Sequence, residues 1–239
     1  MAEPSPLLVQ VLESAARLQE VVPDAVLVGG AAAALHASHR DSFDHDHVLG
    51  DLSDRFDAVL EAIERTEGWV TNRVVPGKII LGELGDIEAG VRQMIRRRAL
   101  ETVAVSLPSG RSLQVPTLEE ILRVKAYLIV SRNQTRDYLD VAALSRRIGP
   151  EASARTLARI DDYYSDQHGE GEGVASQVAR QLADPRPKDA RTTRELARYK
   201  RLDPAWHDWS RVVAACREIA VLMVEGGVGD APSGDSSSP

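Results

Sequence analysis

Ala25-Val26-Leu27-Val28-Gly29-Gly30 runs directly into Ala31-Ala32-Ala33-Ala34-Leu35-His36, and Phe43-Asp44-His45-Asp46-His47-Val48-Leu49 follows; these residues decide the fold. A short β-type run ends on a glycine pair where an alanine-rich helical segment begins. The chain therefore turns from strand to helix there. A helix N-terminus at that turn offers unpaired N–H groups and positive dipole potential to an anion. From Phe43 the side chains alternate between faces as on a strand, with Asp44 and Asp46 on one face and His45 and His47 on the other. Two converging carboxylates repel and raise the pKa of one, unless a cation sits between them. Oxygen-only ligands suit Mg²⁺, which keeps several waters and shares its remaining positions with phosphates. The pattern thus names Asp44 and Asp46 as metal ligands, with Gly29 and Gly30 set to meet phosphate oxygens.

Outward from this block, the N-terminal side reads as a helix over Leu7–Val21, with Leu8, Val11, Leu12, Ala15 and Leu18 at helical spacing. Downstream, Leu52–Thr66 reads as a helix, and Trp69–Val75, Lys78–Leu81 and Ile87–Met94 as strands. Val103–Leu107 and Ser112–Val115 form a hairpin around Pro108-Ser109-Gly110. Thr117-Leu118-Glu119-Glu120 is a capping box, which predicts a helix over Leu118–Ser131 and a reciprocal bond from Glu120. Thr135–Arg147, Glu151–Ile160, Val174–Leu182 and Ser210–Val224 are further helical runs, with a glycine-rich break at Gly169–Gly173. The expected class is α+β: a small mixed-sheet domain over residues 1–116, then a helical domain over 117–225. The Gly/Ser/Pro-rich stretch 226–239 has almost nothing apolar to bury and is expected to be a disordered tail. A cleft between the two halves is the natural place for a site.

The net charge of −7 argues against non-specific polyanion binding, but it hides an asymmetry. Gly90–Arg147 carries eleven Lys/Arg against five Asp/Glu, whereas carboxylates dominate Asp41–Glu67. An acidic metal-binding edge beside a basic surface suits an enzyme that handles phosphates. The single cysteine, Cys216, excludes an internal disulfide and fits a reducing compartment. With no signal-like leader and no apolar run near the ~20 residues of a membrane span, the expected address is cytoplasmic, without a membrane partner.

Leu27-Val28-Gly29-Gly30-Ala31-Ala32-Ala33 with Leu35, followed by His39-Arg40-Asp41-Ser42-Phe43-Asp44-His45-Asp46, resembles the signature of the DNA-polymerase-β-type nucleotidyltransferases. More narrowly, it resembles the AbiEii/AbiGii toxin family. A second block, Thr117-Leu118-Glu119-Glu120-Ile121-Leu122-Arg123-Val124-Lys125 with Arg132-Asn133 and Arg136-Asp137-Tyr138-Leu139-Asp140, extends the resemblance over roughly Leu27–Leu144. The resemblance implies a mixed-sheet nucleotidyltransferase domain that transfers a nucleotide from a nucleoside triphosphate with Mg²⁺. It further implies a toxin of a toxin–antitoxin or phage-defence pair, with a cognate antitoxin as partner and the 3′ end of tRNA as acceptor. Lys125 and the Arg136-Asp137 pair complete the site in that family, and Asp140 shares the helix face of Asp137.

By the same resemblance, Gly29, Gly30, Ser42, Lys125 and Arg136 take the nucleotide. Asp44, Asp46, Glu88, Lys125, Asp137 and Asp140 make up the catalytic set. Glu88 enters as the third carboxylate of the superfamily, preferred over Asp86 because Ile87-Glu88-Ala89 is strand-like. Lys125 is expected to stand apart from the apolar core, so that its replacement spares folding. One departure is His45, where the family carries an apolar residue, with His47 beyond it. Two other enzymes remain open: a His/Asp metallohydrolase using His36, His39, His45 and His47 with the aspartates, and a nucleotidyltransferase acting on a small molecule such as an antibiotic. The Arg96-Arg97-Arg98 run is expected to be a solvated loop, and Trp206 and Trp209 to pack between helices.

Overall fold

Five strands form one mixed sheet, and the carboxylate strand lies second from one of its edges. The computed structural model describes residues 4–167 and 171–228. In chain order the elements are α1 (Pro6–Val21), β1 (Val26–Val28), α2 (Gly29–Ala37), β2 (Asp44–Leu49), α3 (Phe56–Glu64), β3 (Trp69–Val75), β4 (Ile79–Leu84) and β5 (Ile87–Gln93). A separate hairpin follows, β6 (Thr102–Ser106) with β7 (Ser112–Pro116), and then α4 (Leu118–Arg132), α5 (Thr135–Ile148), α6 (Pro150–Ala158), α7 (Asp161–Tyr164), α8 (Val174–Ala183) and α9 (Trp209–Val228). The sheet order is β1-β2-β5-β4-β3. Only the β2–β5 pair is parallel, with Asp44 opposite Glu88 and Asp46 opposite Gly90. The class is α+β, a mixed sheet followed by a helical C-terminal part.

Burial follows the alternation along β2: His45, His47 and Leu49 are buried, while Asp44, Asp46 and Val48 are half-buried on the opposite face. One apolar core lies between the sheet and its covering helices, with Leu18, Val22, Leu49, Phe56, Ile63, Ile80 and Val91. The other core joins α1 and α2 to the C-terminal helices, with Leu8, Leu12, Ala31, Leu122, Ile129, Leu139, Leu144 and Ile219. Residues on both sides of the 116/117 division therefore share one core, and α2 packs against both α4 and α5. Trp206 is buried in it, and Trp209 meets the Tyr138 ring edge-on, 6.0 Å away.

Four local expectations are revised. The glycine pair is not a separate turn: α2 begins at Gly29 itself. At Thr117 only half of the capping box forms. The Thr117 side chain accepts from Glu120 N at 3.2 Å, but the Glu120 carboxylate turns inward to Arg96 and Arg123. Arg96 is accordingly no solvated loop residue, being buried against Glu120 and the Tyr163 and Tyr164 rings. Finally, α9 continues to Val228, so residues 226–228 of the expected tail are helical; each added residue extends an existing hydrogen-bond ladder, which outweighs the entropic cost of glycine. The remainder, 229–239, lies outside the described residues, as do residues 168–170 of the glycine-rich break and its flank.

Candidate active site

β1 ends and α2 starts beside the carboxylate face of β2, which sets the geometry of the site. Gly29 has φ +73°, open to glycine at little cost, and a Cβ there would lie 3.4 Å from both Cβ and Oδ2 of Asp46. At Gly30 a Cβ would come within 2.7 Å of Ser42 Oγ and 3.0 Å of Arg40 Nη2. A side chain at Gly30 would force Ser42 or Arg40 to shift, whereas at Gly29 it is the positive φ that favours glycine. Val28 provides no side-chain cap, so the first N–H groups of α2 have no capping side chain where the helix meets the aspartates.

Asp44 and Asp46 line a cleft shared with Gly29, Gly30, Arg40, Ser42, Arg92, Lys125, Arg132, Arg136, Tyr199 and Lys200. Both aspartates are partly open, with side-chain exposures of 38% and 33%, and each has one cation near it. Lys200 Nζ is 3.5 Å from Asp44 Oδ1, and Arg92 Nε is 3.2 Å from Asp46 Oδ1. Ser42, itself fully buried, donates its hydroxyl towards the backbone O and Oδ1 of Asp44 at 3.3 Å. Partial burial would raise the Asp44 pKa, but Lys200, Ser42 and Arg40 together hold it below the usual carboxylate range.

Across the cleft the second block folds into a different kind of site. Asp140 on α5 is fully buried and accepts from His39 Nε2 (2.8 Å), from Arg40 Nε and Nη2 (2.9 and 3.1 Å), and from Lys125 Nζ of α4 (2.7 Å). Burial opposes its charge, yet Arg40, Lys125 and His39 drive its pKa well below the ordinary value. Lys125 is only 1% exposed, so it is a buried residue whose ammonium the carboxylate of Asp140 compensates; it does not stand apart from the folded interior as expected. Burial lowers its pKa, with Asp140 opposing. Asp137 is gripped bidentately by Arg132, at 2.8 and 2.6 Å. Arg136 lines the cleft, and its Nε is buried with no protein partner.

Glu88 lies on β5, the strand that pairs with β2. It stands in register with Asp44, but its side chain is exposed and does not line the cleft. The residue opposite Asp46 is Gly90, so the neighbouring strand brings no carboxylate beside it. Among the described residues no group of three or more His, Cys, Asp or Glu side chains stands together. The histidines are committed elsewhere. His45 Nε2 pairs with Ser14 Oγ at 3.1 Å and meets the His47 ring edge-on at 5.3 Å. Burial pushes the His45 pKa down to about 4 and that of His47 well below its ordinary value. His36 Nε2 donates to the Pro116 carbonyl at 2.8 Å. A metallohydrolase site built on these histidines would need them on the aspartate face, and they are not there.

Two cleft residues, Tyr199 and Lys200, were not found by sequence reasoning. They lie in the stretch 184–208, which holds only three single 3₁₀ turns and no apolar periodicity that would announce it.

No family model matches the chain. Its fold is that of nucleotidyltransferases. The MenT4 nucleotidyltransferase toxin of Mycobacterium tuberculosis superposes with a TM-score of 0.59 at 18% identity, over 92% of this chain and 83% of that one. A protein of H. pylori assigned to the nucleotidyltransferases gives 0.50 at 14% identity, over 94% and 96%. In sequence, the chain is 32% identical to part of the heme uptake protein MmpL11 of Mycobacterium tuberculosis, over 90% of this chain and 22% of that protein. It is 39% identical to part of the mycolic acid-containing lipids exporter MmpL11 of Mycolicibacterium smegmatis, over 54% and 13%. The chain thus spans about a fifth or less of these relatives. No helix among the described residues is long and apolar enough to cross a membrane.

Proposed function

We propose that the chain is a nucleotidyltransferase of the AbiEii/AbiGii toxin kind, moving a nucleotide from a nucleoside triphosphate to the 3′ end of tRNA in the cytoplasm. The observation that carries this reading is the placement of Asp44 and Asp46 on one face of β2, opening on a cleft that also holds the start of α2. Heme uptake and lipid export belong to much longer proteins and are not carried over.

The donor set fits Mg²⁺: two partly open carboxylates, no sulfur or imidazole beside them, and room left for waters and phosphate oxygens. Asp44 and Asp46 would hold it, and when bound it supplies neutralisation of the triphosphate charge. The first N–H groups of α2, near Gly29 and Gly30, bind phosphate oxygens at the positive end of the helix. Ser42 holds Asp44 in position. Asp140 orients Lys125 and Arg40, which present positive charge from the cleft floor, and Asp137 does the same for Arg132. Arg136 binds the nucleotide through donors with no partner in the protein. Glu88 acts only when an acceptor covers the strand ends beside Asp44. As a toxin the chain would have a cognate antitoxin.

Total tRNA incubated with each labelled nucleoside triphosphate in Mg²⁺ tests this reading. Label should appear on RNA for at least one triphosphate, and expression of the chain should slow growth of its host. Absence of label from every RNA with all four triphosphates sinks the tRNA reading.

A further inference from the structure

Lys200 sits on backbone that its residue type does not favour. Lys200 has φ +40° and Arg201 φ +50°, two consecutive non-glycine residues in the left-handed region. L side chains adopt that conformation only when the surroundings impose it, and such strain gathers at functional sites. The surroundings here are explicit. Asp41 N donates to Lys200 O at 2.9 Å, and Asp203 N donates to His39 O at 2.8 Å. These two bonds strap residues 200–203 onto the loop that leads into β2, so Lys200 and Asp44 are positioned by the same backbone.

What the strap delivers to the cleft is an ammonium with spare bonding capacity. Lys200 Nζ lies 3.5 Å from Asp44 Oδ1 and 5.5 Å from the centre of the Phe43 ring, with the side chain 31% exposed. A pair that long and that open is weak, so the contact with Asp44 does not account for the strained turn. Lys125, the other lysine of the cleft, differs: it is 1% exposed and bound to Asp140 at 2.7 Å. Of the two, Lys200 is the one whose donors are available to a ligand.

We propose that Lys200 is a triphosphate-binding residue, which offsets the charge of Asp44 and turns to phosphate oxygens when a metal and a triphosphate bind. This inference rests on the nucleotidyltransferase reading above and adds to it a residue outside both sequence blocks. An ammonium and a metal ion compete for the same Asp44 oxygen, whereas an ammonium and a metal bound to one triphosphate cooperate. The two effects have opposite signs in one variant, which makes the idea testable without turnover.

The experiment uses the full chain and Lys200→Met, which keeps the stem and removes the charge. Calorimetric titration with inorganic tripolyphosphate and Mg²⁺ should show binding weakened about tenfold or more, the loss of one charge-assisted hydrogen bond. Titration with Mn²⁺ alone should show equal or tighter binding, because the competing cation is gone. Lys200→Arg should bind tripolyphosphate within about threefold of the native chain, and Arg201→Gly, which relaxes the same turn, should bind it unchanged. Tripolyphosphate binding by Lys200→Met within twofold of native overturns the inference alone. So does weaker Mn²⁺ binding, which would make Lys200 a support for Asp44, and so does an equal loss in Arg201→Gly, which would make the turn itself the cause. If the native chain binds neither Mn²⁺ nor tripolyphosphate, the nucleotidyltransferase reading falls and the inference with it.

Discussion

Asp44 with Asp46 on β2 and Asp137 with Asp140 on α5 are both short-range aspartate pairs on one face of an element, yet the fold treats them in opposite ways. The β2 pair is a third or more exposed and touches its cations at 3.2 and 3.5 Å. The α5 pair is 0% exposed and bound at 2.6–3.1 Å by Arg132, His39, Arg40 and Lys125. A carboxylate with open oxygens can exchange its partner for a ligand. One whose oxygens are filled by buried cations cannot, because withdrawing a partner strands a charge in a medium that solvates it poorly. The same residue type is therefore left open in one place and held by its partners in the other.

The largest expected effect separates the two. Asp44→Ala should lower nucleotide transfer by about a thousandfold or more, as expected when a group that neutralises transition-state charge is lost. Its unfolding free energy should fall by no more than about 1 kcal/mol, because folding lowers the Asp44 pKa but the cation beside it is partly exposed. Labelling of RNA and urea titration on the same preparation read both. Near-native transfer by a folded Asp44→Ala would break the functional side of the comparison.

Asp140→Ala should do the reverse to stability. It leaves Arg40, Lys125 and His39 without their shared anion, and a cost of about 3–5 kcal/mol is expected. The native interaction has a defined pH sense. The pKa of Asp140 is depressed by folding, so its stabilisation is complete above the unfolded value and is lost as pH falls towards the native one. If urea unfolding shows Asp140→Ala within 1 kcal/mol of native, the buried hub is not the organising element described here.

A third test concerns the reverse face of β2. His45 titrates near 4 in the fold and near 6.5 when unfolded, so the unfolded chain binds the extra proton between those values. Stability should therefore fall as pH drops from 6.5 to 4, by about 1.4 kcal/mol per pH unit from this residue. His45→Leu should remove that share of the slope while His47 retains its own. An unchanged slope would show that His45 is not held neutral in the interior.

The smallest effect belongs to Arg92. Its pair with Asp46 is partly exposed on both sides, so Arg92→Met should change unfolding free energy by less than about 1 kcal/mol. A loss as large as that of Asp140→Ala would erase the distinction between the two aspartate pairs.

The local pattern by itself determined the alternation along β2, the helix that begins at the glycine pair, the hairpin and the succession of helices, because each depends on neighbours a few residues away. It also determined that Asp44 and Asp46 share one face and His45 and His47 the other. What it could not determine was pairing across the chain. The register of β2 with β5 sets Gly90, not a carboxylate, opposite Asp46 and the exposed Glu88 opposite Asp44. That Lys125 is buried is decided only when α5 delivers Asp140, 15 positions later in the chain, to its ammonium. Lys200 has no periodic context at all, and only two long-range backbone bonds bring it to Asp44. Charge and hydropathy report what a residue prefers near water, whereas partners elsewhere in the chain, 15 positions away for Lys125 and 156 for Lys200, decide which charges are buried, paired or left open to a ligand.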